Sequence, residues 1–111
     1  MSTKYKVAVV QAAPILFDLE KTLEKTARLV TQAKEEGARL ILFPEAFVSA
    51  YPRGLSFGTV VGSRQPEGRK LWQRYWESSI AAGDAACDRL GEMAKGANAF
   101  LVIGVNEKDN T

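Results

Sequence analysis

The sequence has no histidine and one cysteine among 111 residues. Without histidine, a Ser-His-Asp triad and a Cys-His pair are excluded within the chain, as is a zinc site built on imidazole. Hydrolytic chemistry here needs another base. A single cysteine excludes an internal disulfide and fits a reducing compartment. No apolar run is long enough to span a membrane. The N-terminal MSTKYKVAVVQAAP carries lysines before an apolar run that is short for a signal peptide and alternates into Gln11. A cytoplasmic protein is the expectation. Neither sign of charge dominates, with 15 basic and 13 acidic residues and a net charge of +2. Arg64, Arg69, Lys70 and Arg74 are interleaved with Glu67 and Glu77, which reads as a solvated helix face and gives no nucleic-acid surface.

What is present describes an ordinary globular domain, 46% hydrophobic and 25% charged. Val7 to Val10 reads as a short buried strand. Asp18 can cap a helix in which Leu19, Leu23, Ala27, Val30 and Ala33 share a face, with Gly37 as its stop. Leu40 to Phe43 is a second strand, closed by Pro44. Residues 46 to 66, rich in glycine, proline and serine, read as a long loop of the kind that is usually functional. Gln65-Pro66-Glu67 starts a helix that places Trp72, Tyr75, Trp76 and Ile80 on one face. Asp84 can cap another, with Cys87, Leu90 and Ala94 together and Gly96 at its end. Ala99 to Val105 is a third apolar strand, and Lys108-Asp109-Asn110 approaches a hairpin turn. Continuous apolar strands alternating with helices argue for an α/β sheet covered by helices.

In such sheets functional groups collect beyond the carboxyl ends of the strands. Glu45 occupies that place after Leu40-Ile41-Leu42-Phe43. Flanked by Phe43 and Phe47, its carboxylate is expected to be partly desolvated, which favours a base working near neutral pH. The alternative is structural: Glu45 caps a helix or neutralises Arg53.

The ordered set Val9-Val10-Gln11-Ala12-Ala13-Pro14, Leu42-Phe43-Pro44-Glu45-Ala46-Phe47 and Tyr51-Pro52-Arg53-Gly54 resembles the start of a nitrilase, of the carbon–nitrogen hydrolase superfamily. The stretches GSRQPEGRKLWQRYWESS and LVIGVNEKD extend the resemblance over essentially the whole chain. Ala50-Tyr51-Pro52-Arg53-Gly54 points to nitrilases proper rather than to the amidase branches. The resemblance implies an α-β-β-α sandwich that dimerises, and residues 1 to 111 would be its N-terminal part. It also implies a Glu-Lys-Cys set without metal or cofactor. The cysteine thiolate attacks a nitrile carbon, the glutamate is general base, and the lysine stabilises charge on the tetrahedral species. Glu45 matches the family glutamate. The matching lysine and cysteine lie downstream in the family, so the domain is expected to be truncated before both and the 111-residue chain to be inactive alone. With half of the sandwich missing, one sheet face and the edge of the last strand are expected to be exposed and to associate.

Cys87 lacks the family's Cys-Trp-Glu context and reads as a small core residue. Lys95 and Lys108 read as surface residues. Tyr51 lies on the loop that borders the family's substrate pocket, where it orients a substrate or simply packs. Arg53 reads as a loop anchor, since its planar fork suits carboxylates. Trp72, Tyr75 and Trp76 are core packing or a subunit contact. Gly91 and Gly83-Asp84 depart from the family pattern and imply a less stable helix. The expected partners are a small-molecule nitrile and, at full length, further copies of the chain. An amidase, a carbamoylase or a cyanide-converting enzyme would use the same glutamate. A non-catalytic small α/β binding domain is the reading from another class. It lacks a glycine-rich phosphate loop at Gln11-Ala12-Ala13, and the acidic pair of receiver-like domains is missing there too.

Overall fold

A computed structural model of the chain describes residues 3–52, 55, 57, 59–60 and 63–109. Three parallel strands form a sheet in the order β1 (Val7–Val9), β2 (Leu40–Leu42), β5 (Phe100–Val102). Their register pairs Ala8 with Ile41 and Ile41 with Leu101, so β2 is central. Helix α1 (Leu19–Glu35) connects β1 to β2, and α3 (Ala85–Ala97) precedes β5.

Local chemistry sets the helix ends. The Asp18 carboxylate accepts the Lys21 backbone N–H at 2.9 Å, replacing a bond that the first turn cannot make internally. After α1 the chain turns at Gly37, whose φ of +87° lies where a side chain is disfavoured. The Asp84 carboxylate accepts from the Cys87 and Ala81 N–H groups, each at 2.9 Å. Burial pushes this carboxyl up, but the donors from Cys87, Ala81 and Ala86 outweigh it and hold it below 3.8. Gly96 does not end α3. Asn98 does, in the left-handed region at φ +48°, which its short polar side chain tolerates.

Leu23, Val30 and Ala33 of α1 and Ala86 and Ala97 of α3 bury a common core with Ile41 and Phe43. Both helices therefore lie on one face of the sheet. The other face carries Val7, Val9, Leu40, Leu42, Phe100 and Val102, all exposed. Among the described residues the strands are thus covered on one side only. Their apolar runs alone suggest burial on both sides, whereas the resemblance to half of a sandwich leads one to expect an exposed face. The observed architecture is α/β, with one helical layer on one parallel sheet.

The stretch read as a loop contains an antiparallel pair, β3 (Thr59–Val60) with β4 (Ser63–Arg64). Helix α2 (Pro66–Glu77) then begins at its proline and stops before Ile80. Ile80 leaves the helical face expected of it and bridges to Glu107 through the backbone. Trp72 is 57% exposed and Trp76 38%, so the aromatic stripe is not core. Trp72 and Tyr75 gather instead with Phe57 at centroid distances of 5.5–6.2 Å. Among the described residues no helix is long and apolar enough to cross a membrane.

Candidate functional site

Central strand β2 runs into Phe43, whose N–H donates to the Val102 carbonyl at 2.8 Å. Pro44 supplies no N–H and ends the ladder. The chain then leaves the sheet and returns at Val48, which bridges in parallel to Val105 and donates to the Gly104 carbonyl at 3.2 Å. Leu42 pairs with Val102 and Val48 with Val105, so residues 43–47 stand opposite residues 103–104. Five residues face two, and the three extra residues make an excursion that carries Glu45. Bulges of this kind re-aim side chains beside a sheet. Ala46 takes a left-handed φ of +47° and Ala50 one of +81°. Such conformations cost about 1–3 kcal/mol each and persist only where surrounding contacts impose them.

Glu45 is exposed. The phenylalanines beside it do not desolvate its carboxylate as expected. They turn inward, with Phe43 at 4% and Phe47 at 0% exposure and their rings edge-to-face at 5.1 Å. Alternation about the excursion therefore separates a solvent-facing carboxylate from its apolar neighbours. Among the described residues no side chain or N–H is bonded to the Glu45 carboxylate, and it caps no helix.

A polar network fixes the segment that follows. The Asn106 amide donates to the Ala50 carbonyl at 2.9 Å and to the Tyr75 hydroxyl at 2.5 Å. The Tyr75 hydroxyl in turn donates to the Ala50 carbonyl at 3.3 Å. Burial raises the Tyr75 pKa, the Asn106 contact opposes it, and the nearby Tyr51 raises it further. Buried Ser49 and Ser79 meet at 3.2 Å between hydroxyls. Tyr51 itself is 74% exposed, so it is not a packed loop tyrosine. Arg53 lies outside the described residues.

The sequence profile of the carbon–nitrogen hydrolase family matches residues 6–111. The chain belongs to that family. The chain is 43% identical over 107 residues to an aliphatic nitrilase of Sinorhizobium fredii, covering 96% of this chain and 35% of that protein. It is 43% identical over 110 residues to an arylacetonitrilase of Trametes versicolor, covering 98% and 34%. It is 41% identical over 108 residues to a bifunctional nitrilase/nitrile hydratase of Lupinus angustifolius, covering 97% and 31%. The chain thus spans about a third of the length of these relatives.

The other candidates fall elsewhere. Cys87 of α3 packs against the domain core, and its thiol donates to the Ala81 carbonyl at 3.4 Å. Lys95 is exposed. Lys108 is not a free surface residue: it is half-buried, with its ammonium 4.3 Å from the Trp76 ring centroid. That contact ties the strand beyond Gly104 to α2. Asn106 and Gly104 were missed in the sequence. Asn106 follows an apolar run, and nothing local in the sequence marks it. Gly104 lies inside a strand pattern, where an isolated glycine signals close backbone approach.

Proposed function

We propose that this chain is the N-terminal part of a nitrilase that converts a nitrile and two waters to a carboxylic acid and ammonia. Glu45 is its general base. The single observation that carries the reading is the placement of Glu45 in a chain of this family: an exposed carboxylate, unpaired among the described residues, on an excursion at the carboxyl end of the central strand.

The nucleophilic cysteine and the lysine come from the rest of the full-length protein. The thiol loses its proton to Glu45 as sulfur bonds to the nitrile carbon, and Glu45 passes that proton to the nitrile nitrogen to give a thioimidate. Water adds, one of its protons passing through Glu45 to the nitrogen, and the tetrahedral species expels ammonia as its hydroxyl proton moves to the leaving nitrogen, which leaves a thioester. A second water, activated the same way, releases the acid and restores the thiol. The lysine ammonium offsets charge on the tetrahedral species. Tyr51, exposed beside the Glu45 excursion, lines the substrate pocket, and Arg53 anchors the same loop. The bare sheet face is covered by the second sheet of the full-length chain, and full-length subunits associate.

The test is product analysis on a nitrile panel. The full-length protein should release ammonia and acid in equal amounts, and the 111-residue chain neither. Acid and ammonia from amides alone, with nitriles untouched, would place the protein among the amidases instead. A substantial amide product would fit the nitrile hydratase activity named for the lupin relative.

A further inference from the structure

Gly104 lies directly against the turn that carries Glu45. A Cβ built on it would stand 2.5 Å from the Ala46 nitrogen, 2.7 Å from the Glu45 Cα and 2.8 Å from the Glu45 carbonyl carbon. All three are backbone atoms, so no side chain can swing aside to admit a methyl group. By contrast, a Cβ on Gly91 would meet nothing within 4 Å. Gly104 also receives the returning chain, since its carbonyl accepts the Val48 N–H at 3.2 Å. Before the excursion, Phe43 donates to Val102, two residues earlier on the same strand. The excursion is therefore pinned at both ends to one strand, and its peptide closes down on the bare Cα of that strand.

We infer that Gly104 is a positioning residue that sets where the Glu45 carboxylate stands. The inference rests on the reading of Glu45 as general base. Gly104 touches no reacting atom. By lacking a Cβ it lets the Glu45–Ala46 peptide seat against the continuation of β5, and any side chain there lifts the turn and displaces the base. A displacement of the order of 1 Å at a catalytic group costs up to about a hundredfold in rate.

The test uses the full-length protein with Gly104→Ala, Glu45→Gln and Gly91→Ala, assayed on a nitrile that the wild type turns over. Gly104→Ala should lower kcat by about tenfold to a hundredfold, with KM within about twofold and the acidic limb of the pH profile moved. A purely structural role would lower the active fraction and leave that limb in place. Gly91→Ala, which adds the same methyl group in open space, should keep the wild-type kcat and pH profile. If Glu45→Gln keeps turnover, the general-base reading fails and the inference falls with it. If Glu45→Gln is inactive while Gly104→Ala shows wild-type kcat and an unmoved acidic limb, the inference alone is overturned. Should Gly104→Ala not fold, an experimental structure of the full-length wild type decides. Space for a Cβ at Gly104 beyond 3.4 Å from the Glu45–Ala46 peptide contradicts the inference, and closer contact supports it.

Discussion

Ile41 and Leu42 are neighbours on one strand, nearly equal in size and apolarity, yet Ile41 is 0% exposed and Leu42 40%. The difference belongs to the two faces of the sheet. Helices α1 and α3 cover the Ile41 side, while the Leu42 side, with Val7, Val9, Phe100 and Val102, faces solvent. A contiguous apolar sheet face is uncommon on a protein surface. The two faces also contribute differently: the covered one holds this chain together, and the bare one adds little to that core.

The largest effect is expected on the covered face, at Ile41. Ile41→Ala should cost about 3 kcal/mol, because a buried aliphatic side chain leaves a cavity that the helices only partly fill. Urea unfolding followed by circular dichroism reads this, and a loss below about 1 kcal/mol would mean that the covered face is loosely packed.

A smaller effect asks whether the cover depends on how α3 is anchored. Asp84→Ala should cost about 1 kcal/mol near pH 7, as the loss of an N-cap typically does. The pH sign follows from its pKa, which lies below 3.8 in the folded chain. The contribution is present above the unfolded value and is lost as pH falls through the folded one. The gap between wild type and variant should therefore close in acid, which paired unfolding curves across that range would show.

The smallest effect on stability lies on the bare face. Leu42→Ala and Phe100→Ser should each change stability by less than about 0.5 kcal/mol, as surface substitutions do. Sedimentation should nonetheless show self-association of the 111-residue chain, weakened by both changes. A wild-type chain that stays monomeric at high concentration would remove the evidence that this face seeks a cover.

Much of this was legible in the sequence, and the reasons are local. Asp18 and Asp84 were readable as caps because capping needs only one carboxylate and the next turn's amides. The three strands were readable from short apolar runs, and the family from ordered motifs. The one-sided burial was not readable from the apolar runs, because a strand covered on one face by helices and on the other by a second sheet has the same run as one buried entirely within this chain. It was expected only from the family resemblance, which implies a second half of the sandwich. The end of α3 was misplaced because Gly96 and Asn98 are both plausible stops, and only tertiary context chose Asn98. At the site, the position of Glu45 was readable from the Pro44 stop. Its exposure was not, since it depends on a three-residue mismatch between strands distant in sequence. Gly104 and Asn106 depend on the same pairing.

The most direct measurement is nitrile turnover by the full-length protein and its Glu45→Gln variant, compared at equal folded concentration by ammonia release. The glutamine keeps the shape and removes the base. If Glu45 is the general base, kcat falls by about a thousandfold or more, within the range that general-base catalysis contributes. Turnover by Glu45→Gln within a few-fold of the wild type would contradict that role.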